Sequence, residues 1–306
     1  MLELVSLQKR HITSMPEATV LCLGNFDGVH MAHRALLHSA KELRDTTVPN
    51  AMCGVLCFHD LSADFLQKGT PAHLCTEAQK IDRFRDEGMD FVIFADFHSL
   101  CHLSPEAFVR EILIERCRCV GAVCGFNYHF GKNATGTADT LRELLNTPVI
   151  VQSEIRKNNQ TVSSTHIRNL IANADMEAAT DLLTIPYGFS APVLHGKKLG
   201  RTLGIPTINQ VFPEKMLIPP HGVYITDCEI DGKHYRGVTN VGVHPTVDDN
   251  ASVNCETFLL NFSSEIYDKH VSISFLKYLR AEQKFENTEA LCAQIKQDIE
   301  RATVYQ

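Results

Sequence analysis

The sequence predicts an α/β domain built on a parallel sheet, followed by an antiparallel barrel with a C-terminal helix. Three observations predict it. β-rich runs alternate with helical spacings as far as Leu183, the pattern switches to period two after Ile185-Pro186, and 306 residues suit two domains at about 100–200 residues each. The division falls between 1–184 and 185–306.

In the first domain, 19–23 (TVLCL) is a β-rich run, and Leu36, Leu37, Ala40 and Leu43 follow at helical spacing. A second apolar run occupies 54–58. Thr76 with Gln79 makes a capping-box signature before a helix that Gly88 ends, and 91–95 is the next strand. Ser104-Pro105 opens another helix, and 120–124 and 149–152 complete the buried strands. Such alternation implies a mostly parallel sheet covered on both faces. In the second domain, 188–194, 222–230, 234–241, 255–262 and 271–276 read as strands, with Asp231-Gly232 as a tight hairpin turn. Asn287 caps a last helix carrying Leu291, Ile295 and Ile299 on one face. An antiparallel barrel fits this pattern.

Composition narrows the function. Hydrophobic residues make up 44% and charged residues 21%, which is ordinary globular texture. A net charge of −7 supplies no field for gripping nucleic acid. No stretch of 18 apolar residues and no secretory h-region is present, so the expectation is a cytoplasmic protein without membrane or nucleic-acid partners. The eleven cysteines then read as reduced, mostly interior thiols. Cys117-x-Cys119 and Cys53-x-x-x-Cys57 lack the matching second pair that a zinc site needs.

The turn after the first strand reads GNFDGVHMAH. In open α/β sheets ligands sit outside the carboxyl ends of strands, where this turn lies. Gly24 and Gly28 allow a tight turn, and Asn25 and Asp27 bring polar groups to it. His30 and His33, three apart at a helix start, can meet a phosphate together with free N–H groups. A solvated turn with two unrelated histidines fits the same residues. Further on, Ser164, Thr165 and Arg168 open a helix within SSTHIR, suiting a triphosphate or an ordinary N-cap with a surface arginine. Neither a P-loop nor a G-x-G-x-x-G turn occurs.

In the second domain, HGKKLGRTLG at 195–204 combines three glycines with Lys197, Lys198 and Arg201, as a phosphate loop or a solvated basic turn does. Thr207 and Asn209 alternate on an extended segment and so face the same way. Oxygen ligands on one side suit Mg²⁺ with nucleotide phosphates, as they also suit a solvent face.

Together, GNFDGVH with a second histidine, GFNYHFGKNATGT and SSTHIR resemble, in order and spacing, the adenylyltransferase module of the bacterial bifunctional riboflavin kinase and FAD synthetase family. G-R-x-L-G-x-P-T-x-N at 200–209 is similar to the flavokinase signature, and 237–246 and 256–262 resemble two further family segments. The likeness covers nearly the whole chain. It implies a Rossmann-like nucleotidyltransferase domain and a six-stranded flavokinase barrel, with riboflavin phosphorylated to FMN and FMN adenylylated to FAD. ATP is the implied co-substrate and Mg²⁺ the implied metal; the expected partners are riboflavin, FMN, FAD and ATP/ADP, and the oligomeric state stays open.

By the same resemblance, His30 and His33 stabilise charge on the α-phosphate, while Asn25, Asp27, Asn127, Ser164, Thr165 and Arg168 hold ATP. Gly196, Lys197, Gly200 and Arg201 form the second phosphate loop, Thr207 and Asn209 surround Mg²⁺, Glu256 is the general base, and Arg280 lies near flavin. The chain departs from the family pattern at Ala32, where glycine is usual, at 59–61, and at His73, His244 and Asn261. Two rival readings are a kinase whose adenylyltransferase activity is weakened or lost, and a flavin-binding regulator. Thr207, Asn209 and Glu256 argue against the regulator, because a binder needs no base.

Overall fold

Six parallel strands organise the first half of the computed structural model, which describes residues 2–6, 15, 17–59, 72–195, 205–243 and 253–305. They are β1 (Glu3–Ser6), β2 (Thr19–Leu23), β3 (Met52–Phe58), β4 (Phe91–Ala95), β5 (Cys119–Gly125) and, after a side ribbon of β6 (His129–Phe130) and β7 (Gly136–Thr137), β8 (Val149–Gln152). A further ribbon pairs β9 (Arg156–Lys157) with β10 (Gln160–Thr161). The sheet order is β1-β4-β3-β2-β5-β8. From β2 the chain winds outward one way through β3 and β4, then returns to place β5 and β8 on the other side. The carboxyl ends of β2 and β5, paired at Leu23 and Cys124, are therefore the topological switch point.

The period-two split of each strand explains its continuous apolar run. Leu21, Leu23, Leu56, Phe91 and Ile93 pack on one face with Phe108, Val109, Ile112 and Leu141. Val20, Cys22, Cys53, Val55 and Val92 pack on the other with Leu36, Leu37, Ala40 and Leu43 of the Met31–Thr47 helix. β1 is the strand that periodicity misses: four residues are too few to show a pattern, and pairing with β4 from Glu3↔Phe91 to Ser6↔Phe94 makes it a strand. The helix opened by Ser104-Pro105 widens over Phe108–Arg116, where the Cys117 N–H reaches Ile112 O at 2.9 Å.

The fold resolves into two units, Met1–His73 with Glu77–Ser164, and Leu74–Thr76 with Thr165–Gln306. In the second, β11 (Tyr187–Pro192), β12 (Thr207–Val211), β13 (Gly222–Ile230), β14 (Lys233–Val243), β15 (Val253–Leu259) and β16 (His270–Arg280) form an antiparallel sheet ordered β11-β16-β13-β14-β15-β12. It curls until its edge strands meet, the Leu194 N–H donating to Asn209 O at 2.8 Å. The expected run 255–262 stops at Leu259 because Asn261 turns the chain with φ 57°. Asp231 and Gly232, at φ 50° and 76°, make the hairpin turn.

Tyr187, Phe189, Tyr224 and Phe275 fill the interior, all essentially inaccessible to solvent. Among them Thr226, Thr239 and Thr257 satisfy one another's hydroxyls at 2.8 and 2.9 Å, and the Gln210 amide donates to Ala191 O and Val271 O at 2.8 Å each. Asn287 caps the Thr288–Val304 helix by accepting from the Ala290 N–H at 2.8 Å.

Gly188 on β11 is the tightest approach in this sheet: a Cβ there falls 2.0 Å from Ile273 O on paired β16. The three nearest atoms are all backbone of β16, which leaves no flexible side chain to yield. Gly188→Ala is expected to destabilise the protein by about 3 kcal/mol or more, beyond ordinary overpacking. A denaturant midpoint unchanged from the parent would show that the strands separate freely.

Candidate active sites

The β2–helix turn carries the first site. Phe26, Gly28 and Val29 all have positive φ, at 52°, 81° and 39°, so the turn from Gly24 to His30 is sharply wound. Gly28 takes its value without cost, whereas the two side-chain-bearing residues are strained, a signature of functional loops. Three carbonyls of the turn are held by side chains. Lys80 Nζ donates to Asn25 O at 3.0 Å, Arg83 Nη1 to Gly28 O at 2.6 Å, and Ser164 Oγ to Asp27 O at 2.9 Å.

His30 is the N-cap residue of the Met31–Thr47 helix and is 3% exposed. Its ring stacks on His33 with centroids 3.7 Å apart and planes at 15°, and Phe26 packs on the other histidine at 5.0 Å. Burial pushes the His33 imidazole well below its ordinary pKa, and the like charges of His30 and Lys80 add to the effect. His33 is therefore neutral in this arrangement, and its Nδ1 is buried with no hydrogen-bond partner among the described residues. Asp27 is also buried within the turn.

The remaining residues expected here lie on other elements, Thr165 and Arg168 in the second unit. Asn127 is exposed, two residues beyond β5, the strand that flanks β2 at the switch point. Ser164 and Thr165 stand at the start of the Ser164–Ala172 helix, with Arg168 one turn in. The structure thus brings Asn25, Asp27, His30, His33 and Ser164 to one turn.

The second site is built by strand register. Glu256 on β15 lies opposite Asn209 on β12 and opposite Asn240 on β14, so three polar side chains form a row across three strands. Thr207, two residues before Asn209, shares their face. Thr239 and Thr257 alternate with these residues and point to the interior, which puts Glu256 on the outer face of the curled sheet. The Asn240 amide donates to Glu282 Oε1 at 3.1 Å, and His221 Nδ1 lies 3.9 Å from the other oxygen of that carboxylate. Gly242 makes room for this arrangement, since a Cβ would lie 2.1 Å from Glu282 Oε1.

Arg280 ends β16 with its guanidinium on Asp298, Nε at 3.0 Å and Nη2 at 2.7 Å from Oδ2, while Nη1 donates to Ala281 O at 3.2 Å. Asp298 is 1% exposed, so the pair ties strand to C-terminal helix. Gly196, Lys197, Gly200 and Arg201 lie outside the described residues, as does His244. Cys53, Cys117 and Cys119 are pushed up to about 12 by burial and remain thiols. Among the described residues no cluster of His, Cys, Asp and Glu is fit to hold a metal.

A family model for riboflavin kinase matches residues 183–306, and one for FAD synthetase matches residues 12–166. A bifunctional riboflavin kinase/FMN adenylyltransferase of Pseudomonas fluorescens is 35% identical over 289 residues, covering 92% of this chain and 91% of its own. The chain belongs to the bifunctional riboflavin kinase/FMN adenylyltransferase family. The Bacillus subtilis member is 31% identical over 294 residues, covering 94% of this chain and 92% of its own. A solved structure described as a macrolide-efflux protein from Streptococcus pneumoniae superposes with a TM-score of 0.90 at 27% identity, covering 99% of both chains. Among the described residues of this riboflavin kinase/FMN adenylyltransferase family member, no helix is long and apolar enough to cross a membrane.

Ala32, which departs from the family pattern, lies in the first turn of the Met31–Thr47 helix with ordinary helical backbone. Glycine's conformational freedom has no use there. Ala32→Gly is expected to cost about 0.5–1 kcal/mol of stability and to leave FAD formation near the parent rate. A several-fold gain in FAD synthesis with a lower KM for ATP would show instead that the methyl group crowds the nucleotide.

Sequence reasoning missed four residues at these sites. Lys80 and Arg83 are buried cations on the same helix stripe as Phe84, and that placement of charge on an apolar stripe was the available signal. Asn240 and Glu282 meet only through β14 and the segment after β16, 42 residues apart in sequence, which no local pattern reports.

Proposed function

We propose that residues 1–184 transfer an adenylyl group from ATP to FMN and that residues 185–306 transfer the γ-phosphoryl group of ATP to riboflavin. The chain then converts riboflavin to FMN with release of ADP, and FMN to FAD with release of pyrophosphate. The two family-model matches, at 12–166 and 183–306, support this division. Eleven free cysteines, nine of them buried, support a cytoplasmic site of action, where thiols stay reduced.

The observation that carries the kinase reading is Glu256 held between Asn209 and Asn240 with Thr207 on the same face. Glu256 takes the proton from the riboflavin 5′-hydroxyl as that oxygen attacks the γ-phosphorus and ADP leaves. Thr207 and Asn209 offer hard oxygen donors beside it, a set that fits Mg²⁺. Bound there with ATP, the ion neutralises charge on the phosphates. Arg280, engaged with Asp298, supports the flavin by fixing the segment that follows β16.

For adenylyl transfer, a phosphate oxygen of FMN attacks the α-phosphorus of ATP and pyrophosphate leaves, so no covalent enzyme intermediate is needed. Stacked His30 and His33 stand at a helix N-terminus, where anions are favoured. Neutral His33 donates a hydrogen bond to phosphate oxygen, and Arg168 adds positive charge. Asn25, Asp27, Asn127, Ser164 and Thr165 position the nucleotide. Incubation of the parent chain with riboflavin, ATP and Mg²⁺, with products resolved by chromatography, is expected to yield FMN first and FAD after it. Formation of neither product would refute the reading, and FMN without FAD would support the kinase-only rival.

A further inference from the structure

Lys80 and Arg83 stand behind the β2–helix turn in the Glu77–Asp86 helix, three residues apart on one face, 2% and 6% exposed. A lysine side chain is rarely buried this completely without a carboxylate partner. Lys80 has no salt bridge among the described residues; its ammonium donates to the carbonyl of Asn25 at 3.0 Å. Arg83 donates to the carbonyl of Gly28 at 2.6 Å.

Both contacts fix the direction of the turn's peptide planes. No peptide bond among the described residues is cis, and in a trans peptide the N–H points away from the C=O of the same plane. With the Asn25 carbonyl turned toward Lys80, the Phe26 N–H is turned the opposite way, and it has no acceptor among the described residues. The same cation raises the positive potential at the stacked histidines.

We propose that Lys80 and Arg83 are positioning residues for adenylyl transfer: they anchor the strained turn from behind and aim its Phe26 N–H at the nucleotide phosphates, and Lys80 supplies buried positive charge that the triphosphate offsets. This rests on the adenylyltransferase reading given above. Charge and hydrogen bond make separable contributions, because an uncharged donor at Lys80 keeps one and loses the other.

The test compares Lys80→Met, Lys80→Gln and Lys80→Arg in the full chain. FAD formation from supplied FMN is measured with ATP varied, riboflavin phosphorylation serves as the internal control, and the His33 imidazole is titrated by NMR. Besides Lys80, His30 at the start of the same helix acts electrostatically on the His33 imidazole; Asp27 and the Arg83 anchor belong to the same turn, and Arg34, next to His33 in the helix, is paired with Glu87. Lys80→Met is expected to lower kcat for adenylylation about 10- to 100-fold, the scale for lost positioning and charge, and Lys80→Gln, which keeps a donor and loses the charge, by a smaller factor above about twofold. They should also raise the His33 pKa, since a neighbouring like charge is gone, and leave the kinase rate unchanged. Lys80→Arg should restore most of the activity and the parent titration.

Adenylylation within twofold of the parent in all three proteins overturns the proposal. So does a His33 titration that does not move in the uncharged variants, or failure of both uncharged variants to fold, which would leave only a structural role. A parent chain that makes no FAD refutes the adenylyltransferase reading itself and removes the basis of the inference before any variant is made.

Discussion

Glu256→Gln abolishes FMN formation while adenylylation of supplied FMN continues. The glutamine keeps the shape of the side chain and one oxygen, so it can still sit between Asn209 and Asn240 on the same strand register. What it cannot do is take the proton of the 5′-hydroxyl. General-base catalysis contributes about 10²–10⁴-fold, and a loss of that size takes riboflavin phosphorylation to the edge of detection. Glu256 belongs to the second unit, whereas the β2 turn belongs to the first, so FAD formation from FMN is the built-in control for folding. A variant that phosphorylates riboflavin at the parent rate would remove Glu256 from the mechanism.

His30→Ala has the opposite signature: FAD formation from FMN and ATP falls by about 10²–10³-fold, the scale for losing one preorganised donor to a developing oxyanion, while FMN formation is unchanged. The side chain is buried and stacked at 3.7 Å on His33, so its removal also frees the second ring to turn. His30→Gln, which restores a donor of similar reach, should recover part of the loss. Arg168→Ala should act on the same product and spare the same step. Normal FAD synthesis by the His30 and Arg168 variants would sink the assignment of this turn.

Much of the fold was legible because the sheet's burial is written in residue type. TVLCL is apolar throughout because alternate residues enter two different cores, and Asp231-Gly232 reads as a turn because its left-handed backbone favours those residues. β1 was not legible: its strand character comes from pairing with β4, a partner some 88 residues away at Glu3↔Phe91. At the sites, the pieces with local spacing, His30 with His33 and Thr207 with Asn209, were visible as pairs. The residues that hold them were not. Lys80 reaches Asn25 across 55 residues, and Asn240 reaches Glu282 across 42, and such contacts leave no periodic trace in a single sequence. Arg280 shows the complementary case, because its buried partner Asp298 lies on the far helix and gives the arginine a structural engagement that its motif does not announce.

The central claim is that the two transfers occur at separate sites linked by diffusible FMN. It is tested most directly by mixing the Glu256→Gln and His30→Ala proteins with riboflavin, ATP and Mg²⁺ and following FAD. Alone, the Glu256 variant should make neither product and the His30 variant should accumulate FMN. Mixed, they should produce FAD after a lag in which FMN builds up. A mixture that yields no FAD, or a Glu256 variant that makes FAD from riboflavin unaided, would contradict the account.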